Sequence, residues 1–265
     1  MSSIIASESR RLEGSIQVPG DKSISHRAVI LGAISVGESK ILRLLEGEDV
    51  LATVAAFRTM GVQMSGPRDG SLKINGVGLN GLTKPASPLD MGNSGTAMRL
   101  LAGLLAGQAF PATLTGDASL RQRPMERIMT PLGQMGADLT AADGKPPLAI
   151  NPVSRLKGIS YRLPMASAQV KSSILLAGLY AKGSTEIQES TPTRDHTERM
   201  IAGFTGRRWE PGSPIQVKSG LILRWQRITV PGDLCSAAFL SLIHLGRYRR
   251  YRLCSPACVP SLFIQ

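Results

Sequence analysis

The chain has 265 residues, with 31 basic against 19 acidic side chains for a net charge of +12, 42% apolar residues, 28 Gly and 17 Pro. That length supports a sizeable core in one large or two smaller domains; the apolar content with interspersed charge excludes a disordered chain, and no Gly-x-y period marks a collagen. The longest mid-chain apolar run, residues 100–107 between Arg99 and Gln108, falls far short of the roughly 18–20 residues of a membrane span, and residues 1–10 hold no apolar signal core, so a soluble, cytoplasmic protein is expected.

In chain order, the alternation Ser15-Ile16-Gln17-Val18 predicts a strand. An Ala/Leu-rich helix opened by small polar residues follows at 23–35, with Ala28, Leu31 and Ile34 at helical spacing. A second helix at 53–64 ends in Met60-Gly61, and a strand is expected at 72–74. The pattern returns with helices at 93–107 and 126–139, the latter ending in Met135-Gly136, then a strand at 159–163 and helices at 167–182 and 196–204. Gly61 and Gly136 stand 75 residues apart, and Ser25 and Thr96 stand 71 apart. The spacing predicts three copies of a strand–helix–strand–helix–strands unit that bury their apolar faces against one another, although any α/β protein gives loosely similar helices at this interval. A fourth copy starts at Val230-Pro-Gly-Asp233, echoing Val18-Pro-Gly-Asp21, and dissolves after Phe239. From residue 203 onward nine basic residues face two acidic ones, and that stretch holds all three Cys and seven of the eleven aromatics. Cys254-Ser-Pro-Ala-Cys258 lacks the spacing and the second ligand pair of a zinc site, so no metal is expected.

Chemistry is expected where the first helix of each unit begins. These openings are Asp21-Lys22-Ser23 with Arg27, Gly92-Asn93-Ser94-Gly95-Thr96 with Arg99, and Ser167-Ala168-Gln169 with Lys171; Arg121-Gln-Arg123 precedes another helix. Free N–H groups and the positive dipole end make a helix start an anion site; Lys and Arg add full charges, and Gly95 admits a ligand to the main chain. Each opening alone is also an ordinary capped helix. Together, on repeated units, they point to a small, multiply anionic ligand. No Walker or dinucleotide motif and no nucleophile elbow is present. His26 and His196 are candidate bases, or polar residues at helix starts.

Five motifs in order resemble the enolpyruvyl transferase family of 3-phosphoshikimate 1-carboxyvinyltransferase (EPSP synthase): Leu12-Glu-Gly-Ser-Ile-Gln-Val-Pro-Gly-Asp-Lys-Ser-Ile-Ser-His-Arg27, Gly92-Asn-Ser-Gly-Thr-Ala-Met-Arg99, Arg121-Gln-Arg-Pro-Met125, Ser167-Ala-Gln-Val-Lys-Ser172 and Thr193-Arg-Asp-His-Thr-Glu198. The resemblance covers residues 8–204, with an echo at 228–239. It implies an inside-out α/β barrel of repeated βαβαββ units, one domain nearly complete and the second largely missing. Residues 1–15 would be a strand belonging to the other domain, 16–228 the domain of three repeats, and 229–265 the start of the second domain followed by an anomalous, frameshift-like tail.

The implied activity is transfer of the carboxyvinyl group of phosphoenolpyruvate to the 5-hydroxyl of shikimate 3-phosphate, releasing phosphate, on the route to chorismate and the aromatic amino acids. It implies no cofactor, a monomer, and no nucleic-acid or membrane partner. Carried over by resemblance, Lys22, Ser23, Arg27, Ser167, Ala168, Gln169 and Arg194 would bind shikimate 3-phosphate, while Lys22, Gly95, Arg123 and Gln169 would face phosphoenolpyruvate. Ala168 stands where the family often has Ser. The family's catalytic Asp and Glu lie in its second half, so no catalytic residue is assigned, and slow turnover or none is expected. The alternatives are a non-catalytic fragment that binds shikimate 3-phosphate only, and a basic nucleic-acid-binding protein whose charge sits mainly in the tail.

Overall fold

Three helices that are buried on every side form the centre of the molecule, α1 (Lys22–Ala33), α3 (Gly95–Leu105) and α5 (Ala168–Gly178). The computed structural model describes residues 15–238. Each central helix is made mostly of Ala, Leu, Ile, Val, Gly and Ser, which leaves no polar face to turn toward water. Each buried Leu of α3 contributes about 1.5–3 kcal/mol through the apolar surface it withdraws. Two of these helices approach very closely: a Cβ on Gly103 of α3 would come within 2.0 Å of the Ser173 carbonyl oxygen on α5.

Side chains start all three helices. Asp21 accepts the Ile24 N–H at 2.8 Å, Ser94 the Ala97 N–H at 3.2 Å, and Ser167 the Val170 N–H at 3.4 Å. A second helix follows each, α2 (Glu48–Thr59), α4 (Glu126–Gln134) and α6 (His196–Phe204); α2 and α4 are buried along one face only, whereas α6 has no exposed residue. All three second helices end in the same turn. Gly61, Gly136 and Gly206 have φ of 88°, 87° and 67°, a conformation open to glycine. The next residue in each case, Val62, Ala137 or Arg207, donates its N–H to the carbonyl five residues back.

Around the helices lie three sheets. The strands are β1 (Val36–Leu42), β2 (Gln63–Arg68), β3 (Ser71–Val77), β4 (Leu89–Asp90), β5 (Ala112–Thr115), β6 (Asp138–Ala142), β7 (Lys145–Asn151), β8 (Ser160–Arg162), β9 (Ser184–Gln188), β10 (Ile215–Lys218) and β11 (Arg227–Thr229). The sheet orders are β11-β1-β3-β2, β4-β5-β7-β6 and β10-β9-β8. Each contains one parallel pair, with Ile41 opposite Ile228, Leu89 opposite Leu114, and Tyr161 opposite Ile187. The first sheet therefore takes its parallel edge from the far end of the described chain.

Among the described residues, β10 of the third sheet has no outer partner, where the first two sheets have β2 and β6. Val62 and Ala137, which follow the repeated glycine in those units, become Arg207, which is exposed. The echoing Val-Pro-Gly-Asp segments pair reciprocally: the Asp21 N–H donates to the Pro231 carbonyl and the Asp233 N–H to the Pro19 carbonyl, both at 2.8 Å, with Gly20 opposite Gly232.

The helix expected at 53–64 begins earlier, at Glu48, because Glu48 and Asp49 complement the positive end of the dipole. The strand expected at 15–18 does not form; Ile16 is 66% exposed and no described strand pairs with it. The expected strand at 1–15 otherwise lies outside the described residues, as does the tail from Phe239 with Cys254 and Cys258. Among the described residues, no helix is long and apolar enough to cross a membrane.

Candidate functional site

The starts of α1 and α5 and the segment before α6 meet around a polar cleft of about 460 Å³. It is lined by Ser23 and Arg27 from α1, Thr96 from α3, Ser167, Ala168 and Gln169 from the start of α5, and Pro192, Thr193 and Arg194 from the loop after β9. Six of the residues singled out in the sequence thus share one cavity: Ser23, Arg27, Ser167, Ala168, Gln169 and Arg194.

Arg27 is 3% exposed and rigidly held. Its Nε donates to Thr197 Oγ1 at 2.6 Å, Nη1 to the Ser23 carbonyl at 2.9 Å, and Nη2 to Ser172 Oγ at 2.7 Å. A guanidinium has five N–H donors, so two remain for a ligand. Burial pulls its pKa down to about 10, opposed by the nearby Glu198 carboxylate, which leaves it fully charged at neutral pH.

Gln169 joins this cleft to a second cationic cluster. Its Nε2 donates to Thr96 Oγ1 at 3.0 Å, and its Oε1 accepts from Arg99 Nη1 at 2.7 Å. Beside them a Cβ on Gly95 would stand 3.0 Å from Arg99 Nη1 and 3.1 Å from Arg123 Nη1. Glycine there leaves a gap between two guanidiniums and the N-terminal amides of α3. Asn93 accepts from Arg123 through Oδ1 and donates through Nδ2 to Asp117 at 2.7 Å. Burial, together with the neighbouring Arg123 and Arg127, lowers the pKa of Arg99, so the cluster repels added cations and attracts anions.

Lys22 lies outside the cleft lining; its half-exposed ammonium pairs with Asp49 of α2. Lys171 departs further from expectation. It does not face the ligand space but is 1% exposed, with Nζ 2.9 Å from Glu189 Oε2 and 2.6 Å from Glu198 Oε1. Burial pushes the Glu198 carboxyl up, and Lys171 opposes that shift.

Neither histidine sits as a base beside the cleft. His26 is fully buried, with Nδ1 2.8 Å from Thr53 Oγ1 and Nε2 3.3 Å from Ser94 Oγ. Thr53 donates to the Asp49 carbonyl, so Nδ1–H donates to Thr53 and Nε2 accepts from Ser94. Burial, reinforced by Lys22, drops its pKa to about 3, so it is a neutral strut between α1, α2 and α3. His196 opens α6 outside the cleft lining, its pKa lowered by burial and by Arg27.

The sequence reading missed Thr96, Pro192 and Thr193 as lining residues and Arg99 as the partner of Gln169. Thr96, Arg99 and Thr193 all lie inside motifs already singled out, one residue or one helical turn from the named positions.

A family model for EPSP synthase (3-phosphoshikimate 1-carboxyvinyltransferase) matches residues 6–243. The chain belongs to the EPSP synthase family. It is 60% identical to the 3-phosphoshikimate 1-carboxyvinyltransferase of Acidithiobacillus ferrooxidans over 232 residues, 88% of this chain and 53% of that protein. Against the enzyme of the same name from Methylococcus capsulatus it is 58% identical over 233 residues, again 88% and 53% of the two lengths. The solved EPSP synthase from Acinetobacter baumannii superposes with a TM-score of 0.81 at 54% identity, covering 85% of this chain and 51% of that one. The chain therefore spans about half the length of the EPSP synthases it matches, and the described fold corresponds to one nearly complete domain of their α/β architecture.

Proposed function

We propose that this chain grips shikimate 3-phosphate and phosphoenolpyruvate for carboxyvinyl transfer. In that reaction the 5-hydroxyl gives up its proton to a base as its oxygen adds to C2 of phosphoenolpyruvate and an acid delivers a proton to C3. The bond to phosphate then breaks, and loss of a C3 proton restores the double bond. Phosphate monoester and carboxylate groups call for fixed cations and aimed N–H donors. The observation that carries the reading is the single cleft shared by Ser23, Arg27, Ser167, Gln169 and Arg194, which suits shikimate 3-phosphate. Gly95 and Arg123, linked to it through Arg99 and Gln169, suit phosphoenolpyruvate; Lys22, paired with Asp49 outside the cleft lining, joins the proposal through the resemblance alone.

Carboxylates near the cleft are already engaged: Asp21 caps α1, Asp49 pairs with Lys22, and Glu189 and Glu198 pair with Lys171. The part played by the described residues is accordingly binding and charge stabilisation, with proton donor and acceptor supplied from outside residues 15–238. The relatives' names support a small-molecule transferase; a cytoplasmic monomer that needs neither metal nor organic cofactor completes the proposal.

Calorimetric titration tests it. Shikimate 3-phosphate should bind, unphosphorylated shikimate far less, and Arg27→Ala should weaken uptake by about 10- to 100-fold, the worth of a charge-assisted pair. Phosphate release with both substrates should run roughly 10²–10⁴-fold below a relative of full length, the usual contribution of acid–base catalysis. Equal binding of shikimate, or none of either ligand, overturns the reading; turnover at the relatives' rate overturns the external acid and base.

A further inference from the structure

Lys171 stands one turn beyond the cleft residues of α5, yet its charge is turned wholly inward. Its two partners are buried as well, with side-chain exposures of 7% for Glu189 and 3% for Glu198. Taking one ammonium and two carboxylates out of water is costly unless each is paired. The buried Arg27 guanidinium is the fourth charge, and with it the cluster of Lys171, Arg27, Glu189 and Glu198 is neutral. Each member is tied to a different part of the cleft. Arg27 forms its α1 side, Lys171 stands behind its α5 side, and Glu198 belongs to α6.

Glu189 reaches further than charge balance requires. Its Oε1 accepts the Thr193 hydroxyl, and its Oε2, besides Lys171, lies 3.5 Å from the Thr193 N–H. The carboxylate therefore closes the loop from 189 to 193 on itself. The far side of that loop, Pro192, Thr193 and Arg194, is a wall of the cleft. We infer that Lys171 and Glu189 are positioning residues: through Thr193 they fix the wall that presents Arg194 to the bound phosphate ester. Neither touches the ligand. The ligand's identity rests on the proposed function; the strap itself does not.

The test uses the whole chain, with Glu189→Leu and Thr193→Val, each alone and combined with Arg194→Ala. Without ligand, amide exchange over residues 190–195 should speed up by about tenfold or more in both variants, as expected when a local tie is cut. Each single variant should weaken shikimate 3-phosphate by about tenfold, the scale of one charge-assisted hydrogen bond. Adding either to Arg194→Ala should cost nothing more, because the strap acts through that residue. A purely structural role would instead multiply the losses, and that outcome, or unchanged exchange, overturns the inference. Thr193→Val leaves all four buried charges in place, so it decides the matter alone if Glu189→Leu does not fold, and Thr193→Ser should restore wild-type behaviour. If the wild type takes up no shikimate 3-phosphate, the proposed function fails, while the exchange measurement still upholds or overturns the strap.

Discussion

Acidification offers a direct probe of the interior. His26 is fully buried between three helices, and its pKa falls from 6.5 to about 3 on folding. Between those values the unfolded chain carries one proton that the folded chain refuses. The stability this group confers is therefore complete above pH 6.5 and drains away as the pH drops, at about 1.4 kcal/mol per pH unit, until the folded value is reached. Moving from pH 6.5 to roughly 4.5 should cost about 2–3 kcal/mol through His26 alone. Other groups, Asp233 and Glu198 among them, also titrate differently in the folded chain, so the measurement is a difference. Urea unfolding of the wild type and of His26→Asn should be compared at both pH values. The variant forfeits hydrogen bonds to Thr53 and Ser94 and is the less stable near neutrality, but the gap should narrow by about 2–3 kcal/mol at the acidic end. A gap of constant size would mean that His26 takes a proton in the folded chain at an ordinary pKa, and the neutral-strut argument would be wrong.

Two glycine substitutions should separate function from fold. In Gly95→Ala the atoms nearest the new methyl belong to the side chains of Arg99 and Arg123, not to backbone, so stability should change by no more than about 0.5 kcal/mol, while displacement of the guanidiniums weakens phosphoenolpyruvate by roughly tenfold; thermal melting and ligand titration read the two effects. In Gly103→Ala the methyl meets the Ser173 backbone instead, α3 and α5 must separate, and urea unfolding should register a loss of about 1–3 kcal/mol or more.

The three central helices were legible because a small polar cap followed by an Ala/Leu run is a local signal, and α6 was placed at its observed bounds. The glycine that ends each second helix was equally plain at Gly61 and Gly136. Other features depended on partners far away in the chain. Ser15-Ile16-Gln17-Val18 alternates like a strand, but alternation cannot supply a neighbour to pair with. Lys171 sits one turn behind a helix cap, as an anion-binding cation would, and only the folded chain brings Glu189 and Glu198 around to consume its charge. Ser23, Arg27, Gln169 and Arg194 were named from motifs separated by most of the chain; their common cavity follows from stacking repeated units side by side, which makes equivalent helix starts neighbours. Arg99 is legible as a cation behind the opening of α3, but its hold on Gln169 is a side-chain contact that spacing does not encode.

The edge contributed by β11 has a consequence for synthesis. Its hydrogen bonds run to β1, and the Gln226 N–H donates to Ser39 across 187 residues of chain. While the ribosome is still extending the polypeptide, β1 has emerged with one side of its backbone bare, and such an edge is a template for adhesion to other nascent chains. The first sheet gains that edge only after residue 229 has cleared the exit tunnel, by which point nearly all of the buried core residues are already outside.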